Sequence, residues 1–263
     1  MAFDVTLGQY MPGDSFLHRL DPRTKLVMAL TLIVVLFLID SFVGYLWIAG
    51  FIFLAIINGD IPLKSITRGL KPLTVIILLT VILNIFFTEG TIIWQWGFIR
   101  ITSEGIIKGI LLGIRLILLI LSTTVMTLTT SPLAITDGLE YLLSPLKKVK
   151  FPVHELSMML TIALRFIPTL LEETEKIMKA QMARGADFES GNLIKRAQNM
   201  VPLLVPLFVS AFRRADDLAT AMESRCYKGG EGRTRLNELA MQNADYLVLG
   251  VVLPVLVLVV LIF

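Results

Sequence analysis

The 263-residue chain has one cysteine, Cys226, and two histidines, His18 and His154. One cysteine excludes an intramolecular disulfide, and two histidines with no cysteine or acid at ligand spacing leave no transition-metal site to expect. No Gly-x-x-x-x-Gly-Lys-Ser/Thr loop occurs; Gly229-Gly230-Glu231-Gly232-Arg233 lacks the lysine and reads as a turn rather than a phosphate cradle. The apolar runs hold almost no acids, no internal repeat and no nucleophile with base or metal ligands. These absences weigh against an intramembrane enzyme and a proton relay. They also weigh against a stand-alone secondary transporter, which stays, with a membrane scaffold protein, as the alternative reading. Residues 1–21 are polar and contain acid, so they do not read as a signal peptide, and the first span is expected to direct insertion itself. No cofactor is expected.

What is present is apolar. Hydrophobic residues make up 55% of the chain, and the mean hydropathy is +0.77, beyond the usual share of a soluble domain. The expected class is an all-α integral membrane protein in contact with membrane lipid. The formal net charge of +3 is misleading, because fifteen of the 24 Lys and Arg and thirteen of the 21 acids lie within 131–243. That segment is nearly balanced and solvated, so nucleic acid is not an expected partner.

Five spans are expected. Asp21 caps a helix with Pro22 at its first position. Leu26–Ile39 and Phe42–Ile57 are each short of the ~20 residues a spanning helix needs, yet one helix through both would reach ~48 Å, so they read as a hairpin turning at Asp40. Asn58 to Lys71 is a basic loop with a surface helical turn, and Pro72 to Thr88 is the third span. Glu89 to Gly105, with Trp94 and Trp96, reads as a loop at an interfacial aromatic belt. Ile106 to Thr130 and Asp245 to Phe263, the latter broken by Pro254, complete the set. Arg19, Arg23, Lys25, Lys64, Arg68, Lys71 and the 131–243 insert fall on one face, against Arg100 on the other, so the N-terminus and insert are expected in the cytoplasm. Lys108 can snorkel to an interface. Arg115, about 13 Å by helical rise from the start of the span at Ile106, is either turned toward neighbouring helices near Asn84 or functional.

The organisation is thus residues 1–130 with four spans, 131–243 as a cytoplasmic coupling region, and 244–263 as the last span. Prolines divide the insert into three long, bent amphipathic helices: Pro132–Leu146, Val153–Arg184 with a break at Pro168, and Asn192–Tyr227 bent at Pro202 and Pro206. In the third, Phe208, Phe212, Ala215, Ala219 and Met222 recur at spacings of three or four, facing away from Arg213, Arg214, Asp216 and Asp217. One face is expected to pack and the other to meet water. Met158, Met159, Met178, Met182, Met200, Met222 and Met241 suit either a core or a surface that repacks against partners. His154 beside Glu155 reads as an exposed pair at a helix start.

Two similar triplets close the long helices: Ala183-Arg184-Gly185 and Ser224-Arg225-Cys226. Gly185 and Gly229-Gly230 are helix terminators. An arginine at a C-terminal helix end is favoured by the macrodipole by ~0.3–1 kcal/mol, so capping is one explanation. Two such arginines in one insert favour the other, docking to a partner.

On these residues the chain resembles the transmembrane coupling (T) components of energy-coupling factor transporters, the EcfT family. The likeness covers nearly the whole length. It rests on Leu17-His18-Arg19-Leu20-Asp21-Pro22-Arg23-Thr24-Lys25, on spans followed by a long helical insert and a last span, and on Ala183-Arg184-Gly185. The resemblance implies that two Ala-Arg-Gly motifs dock on a pair of ABC-type ATPase subunits (EcfA and EcfA'), and that a membrane-embedded S component binds a vitamin or metal ion. It implies no catalysis by this chain itself. The second motif keeps its arginine but departs from the family pattern at Ser224 and Cys226, which puts its backbone geometry in question. Phe208, Phe212, Ala215, Ala219 and Met222 are expected to form the platform that meets the S component.

Overall fold

In the computed structural model the residues described are 10–96, 99–186, 188, 192–230 and 239–262. They fall into two compact units, one drawn from Gly8–Leu142 with Asn237–Phe263 and the other from Leu143–Leu236.

The first unit begins with a short turn of helix, α1 (Phe16–Arg19), and then α2 (Pro22–Leu38) and α3 (Phe42–Asn58). The hairpin forms as the spacing predicts: Ile39 and Ser41 are extended, and each arm of 17 residues rises ~25 Å. α4 (Leu63–Leu70) turns the expected basic loop into a full eight-residue surface helix, and a 3-10 turn over Lys71–Leu73 leads into α5 (Thr74–Phe87). The next segment differs from expectation. Instead of a plain loop, β1 (Ile92–Trp96) pairs antiparallel with β2 (Ile99–Thr102), with Gln95 opposite Arg100 and Trp96 opposite Ile99. The β-branched and aromatic residues that suggested an interfacial belt are also those that favour strands. α6 (Ser103–Thr129) starts three residues early because Thr102 accepts a hydrogen bond from the Gly105 N–H as its N-cap. α7 (Pro132–Leu142) packs on α2: a Cβ added at Gly138 would lie 2.8 Å from Leu26 Cδ1. Pro132–Leu142, read from sequence as part of the insert's first helix, therefore clusters with the spans, while Ser144–Val149 forms a separate 3-10 turn in the second unit.

The second unit contains α8 (Val153–Ala183) and α9 (Leu193–Ser224), and α10 (Asn243–Ile262) returns to the first. The break expected at Pro168 does not occur, and α9 likewise runs through Pro202 and Pro206. A proline removes a single N–H donor, and in helices of 31 and 32 residues the flanking turns carry the helix past it.

The core of the first unit gathers Met28, Leu32, Leu36, Tyr45, Ile48, Leu118 and Leu256 from α2, α3, α6 and α10. α5 meets α6 differently, through glycines. A Cβ at Gly105 would stand 2.9 Å from the Ile85 carbonyl oxygen, at Gly109 3.1 Å from that of Val81, and at Gly113 2.8 Å from Val81 Cγ2. Glycine at every fourth position lets the two backbones touch, which is how apolar helices associate in lipid. On the outside, Leu30, Phe37, Trp47, Phe53, Val75, Phe87 and Leu261 are exposed. An apolar exterior on an apolar core is the pattern of a bilayer protein. By length and composition four helical stretches can cross a membrane: Leu63–Phe87, Ser103–Thr129, Asn243–Ile262 and Val153–Ala183. The last carries Glu172, Glu173, Glu175, Lys176 and Lys179 in its second half, so composition alone does not place it in the bilayer.

The Leu17–Lys25 motif ties this unit together at one end. Asp21 accepts from the Arg23 N–H at 2.8 Å, capping α2, while its own N–H donates to Asp245 Oδ1 at 2.8 Å. Asp245 is 1% exposed and also accepts from the Gln242 N–H, so one carboxylate fixes the entry of α10 to the entry of α2. Arg23 donates to the Leu239 carbonyl at 3.1 Å and stacks over the Tyr141 ring at 3.5 Å. Lys25 Nζ donates to the carbonyls of His18 and Thr129. At the other end Arg115 finds its partners, and they are not near Asn84. Its Nη2 donates to Asp40 Oδ1 at 2.8 Å and to the Ile39 carbonyl at 2.9 Å, and its Nε donates to Tyr45 Oη at 2.8 Å. The short hairpin explains the difference: its turn at Asp40 reaches only as far as the middle of the longer α6.

Candidate functional site

In the second unit α8 and α9 lie side by side and antiparallel. Glu173 on α8 meets Ser210 and Arg214 on α9, whereas Met158 and His154, earlier on α8, meet Tyr227, later in the chain than α9's last residue. Ser210 Oγ donates to Glu173 Oε1 at 2.5 Å and Arg214 Nη2 donates to Glu173 Oε2 at 2.9 Å, so both carboxylate oxygens are held by the facing helix.

That pairing corrects the expected division of α9 into a packing face and a wet face. Arg214, placed with the water-facing charges, is half-buried against α8 and shares its face with Ser210 and with Leu203, which is buried. The stripe of Phe208, Phe212, Ala215 and Ala219 is instead exposed, with the two phenylalanines at 61% and 69%, and Met222 is half-buried. Polar pairing to α8 took the face that hydrophobicity alone would have left to water.

The two arginine triplets sit at the two helix ends, and their backbones are alike. Ala183 is the last residue of α8 and Arg184 its C-cap; Ser224 is the last of α9 and Arg225 its C-cap. At the first end the Gly185 N–H donates to the Met182 carbonyl at 2.9 Å and the Ala186 N–H to that of Gln181 at 3.0 Å. At the second, the Cys226 N–H donates to Glu223 at 2.9 Å and the Tyr227 N–H to Met222 at 3.0 Å. Both are the paired 6→1 and 5→2 bonds of a Schellman cap, which needs a left-handed residue after the C-cap. Gly185 supplies it at φ 89° and Cys226 at φ 57°. The backbone question raised by the second triplet is thereby answered: the sequence changes and the turn does not.

Both arginines are exposed, and neither guanidinium has a partner among the described residues. Because the helices are antiparallel, the arginines stand at opposite ends of the pair, separated by roughly 35–40 Å of helical rise. Each presents a planar fork of donors on a fixed turn.

The second turn has an additional anchor that sequence reading missed. Tyr227 Oη donates to Met158 Sδ at 3.0 Å and lies 3.4 Å from His154 Nε2. Gly230 lies against the same imidazole, so close that a Cβ would stand 2.4 Å from His154 Cδ2. His154 is thus part of the turn's footing rather than an exposed pair with Glu155. Gly229, at φ 95°, makes the turn that brings Gly230 back. The remainder of the glycine-rich stretch, Glu231 to Arg233, lies outside the described residues.

The chain is similar to proteins of one transporter family. Residues 13–236 match the family described as CbiQ, cobalt transport protein. An energy-coupling factor transporter transmembrane protein EcfT from Thermosediminibacter oceani is 59% identical over 242 residues, covering 92% of this chain and 91% of its own length. The protein of the same name from Ruminiclostridium cellulolyticum is 54% identical over 251 residues, 95% and 94% of the two chains, and that of Bacillus subtilis is 49% identical over 264 residues, 100% and 98%. With matches that run end to end, an apolar helical unit that suits a bilayer and a helical pair bearing the arginine turns, the chain belongs to the EcfT family, the transmembrane T components of energy-coupling factor transporters.

Proposed function

We propose that this T component is a non-catalytic coupling subunit which transmits ATP hydrolysis by two ABC-type ATPase subunits (EcfA and EcfA') to a membrane-embedded S component that carries a vitamin or metal ion. The observation that carries the reading is the pair of arginine-capped Schellman turns at opposite ends of α8 and α9. Two ATPases need two anchors, and a rigid antiparallel pair spaces them. Ala183, Arg184 and Gly185 form one anchor and Ser224, Arg225 and Cys226 the other, each arginine clamping a carboxylate in a groove of its ATPase.

Between the anchors, the exposed stripe of Phe208, Phe212, Ala215 and Ala219, with Met222 at its end, supports the platform assignment. Contiguous exposed apolar side chains on otherwise charged helices mark interaction surfaces. The basic-residue asymmetry favours a cytoplasmic N-terminus and a cytoplasmic 131–243 segment, with α2, α3, α5, α6 and α10 as the spans. An ATPase partner is cytoplasmic, so both arguments put the arginines on the same side.

The test is co-purification and transport in vesicles. Losing one member of a buried charge pair costs ~2–5 kcal/mol at an interface. Arg184→Ala with Arg225→Ala is expected to leave a folded, membrane-inserted protein that loses the ATPases and ATP-driven uptake, with single variants intermediate. Full ATPase recovery and normal uptake from the double variant would reduce the arginines to helix caps.

A further inference from the structure

Within the first unit, α1, α2, α3, α6 and α10 line a half-open cavity of about 300 Å³, walled by apolar side chains such as Met28, Leu32, Val125 and Val252. Two polar groups on its wall have no partner. Thr24 Oγ1 and Ser122 Oγ are buried, at 0% and 5% residue exposure, and neither makes a hydrogen bond. Other hydroxyls on these helices relieve themselves by donating to the carbonyl four residues back, as Thr31, Thr123 and Thr127 do. Thr24 and Ser122 do not. Beside Thr24, Lys25 also lines the cavity; two of its three N–H groups go to the His18 and Thr129 carbonyls, which leaves one.

Phe51, Leu54 and Val252 belong both to this cavity and to a groove of about 500 Å³ that runs on between α3 and α10 past Trp47 and Val255. Leu54 and Trp47 are exposed on α3, and with α3 as a span, the reading proposed above on which this step rests, the groove opens toward hydrocarbon. The polar end lies at the first turn of α2 and the last turn of α6. The cavity is therefore amphipathic along its length, with donors at the interfacial end and hydrocarbon walls beyond.

We propose that it binds one acyl chain of a bilayer glycerophospholipid, with an ester carbonyl accepting hydrogen bonds from Thr24 and Lys25. Size and chemistry select this occupant. A partner helix ~10 Å across fills roughly 400 Å³ per turn, more than the cavity's 300 Å³, whereas an acyl chain is narrow enough to run from the groove into it. Filling the space with water takes roughly ten molecules at ~30 Å³ each, and two hydroxyls and one N–H cannot satisfy that many. A chain with an acceptor at one end satisfies the donors and fills the walls. Ser122, about 10 Å deeper along α6, faces the tail and does not touch the ester.

The test uses the full chain in mild detergent, titrated with phosphatidylglycerol in its ester-linked and ether-linked forms and followed by native mass spectrometry and thermal midpoint. One lipid is expected to be retained per chain, with the ester form held at least tenfold more tightly than the ether form. Ala29→Phe and Ala55→Phe, which fill the cavity, are expected to lower retention at least tenfold. Thr24→Val is expected to raise the midpoint without lipid, since it removes an unpartnered hydroxyl, and to abolish most of the ester preference, while Ser122→Ala leaves that preference intact. Equal binding of the two lipid forms overturns the proposal. So does retention unchanged by the filling variants, or a photocrosslinker at Leu54 that captures a protein span instead of lipid. If the filling variants fail to fold, the Thr24→Val comparison still decides.

Discussion

Cys226 holds, at φ 57°, the left-handed position that Gly185 holds at φ 89°, and each lies directly after an exposed arginine. A side chain in that conformation costs ~1–2 kcal/mol, whereas glycine takes it up freely at an entropic cost of ~0.5–1 kcal/mol. The second arginine turn is consequently the strained one. Cys226→Gly is expected to stabilise the protein by up to ~1 kcal/mol, and Gly185→Ala to destabilise it by about 1 kcal/mol. The thermal midpoint in detergent, read by tryptophan fluorescence, checks both; a Cys226→Gly variant that melts lower than its parent contradicts the assignment.

Arg115 and Asp40 form an asymmetric ion pair, with the arginine side chain 17% and the carboxylate 90% exposed. An exposed partner adds little, ~0–1 kcal/mol, so Asp40→Asn should be nearly silent. Arg115→Leu also removes the hydrogen bonds to the Ile39 carbonyl and to Tyr45 Oη, which keep only the bond they make to each other, and hydrogen bonds from a charged donor contribute ~1.5–3 kcal/mol each. The arginine variant is therefore expected to lose several degrees of thermal midpoint where the aspartate variant loses about one. Equal losses would show that the ion pair, not the hydrogen bonds to the hairpin, holds Arg115.

Those two cases mark what sequence carries. The hairpin at Asp40, the caps at Asp21 and Gly185, and the helical class follow from local chemistry and were legible. Arg115's partner was not, because it depends on how far the hairpin reaches along α6. The Gly105, Gly109, Gly113 stripe was there to be read as a helix-contact signature, and it is where α5 packs. Arg214 looked solvent-facing by periodicity, and only the position of Glu173 on another helix reverses that. The β1–β2 hairpin was hidden by aromatic residues that suit an interface as well as a strand. Tyr227 and His154 are 73 positions apart, and no spacing rule joins them.

Orientation can be tested directly. In a Cys226→Ser background, a cysteine at Asp40 is expected to react with an impermeant maleimide added outside intact cells, and a cysteine at Lys148 only after permeabilisation. The basic-loop asymmetry motivates both expectations. The opposite labelling pattern would place the arginine turns on the wrong side for an ATPase.

Tyr227 anchors the turn that carries Arg225. Its N–H closes the Schellman turn and its hydroxyl fixes the turn to α8 through Met158 and His154, two residues after the guanidinium. Removing the hydroxyl leaves the arginine and the turn's backbone bonds in place but releases their attachment to the neighbouring helix. A single side-chain hydrogen bond contributes ~0.5–1.5 kcal/mol, or about a two- to tenfold change in affinity. Tyr227→Phe is thus expected to weaken ATPase retention two- to tenfold in a titration of the assembled complex, while the thermal midpoint of the isolated T component moves by no more than about 2 °C. The decisive comparison is a double-mutant cycle. If Tyr227 acts by aiming Arg225, its effect vanishes in an Arg225→Ala background and persists in full beside Arg184→Ala, because the first turn is built without it. An undiminished effect in the Arg225→Ala background would mean that Tyr227 supports the helical pair as a whole and not the second anchor.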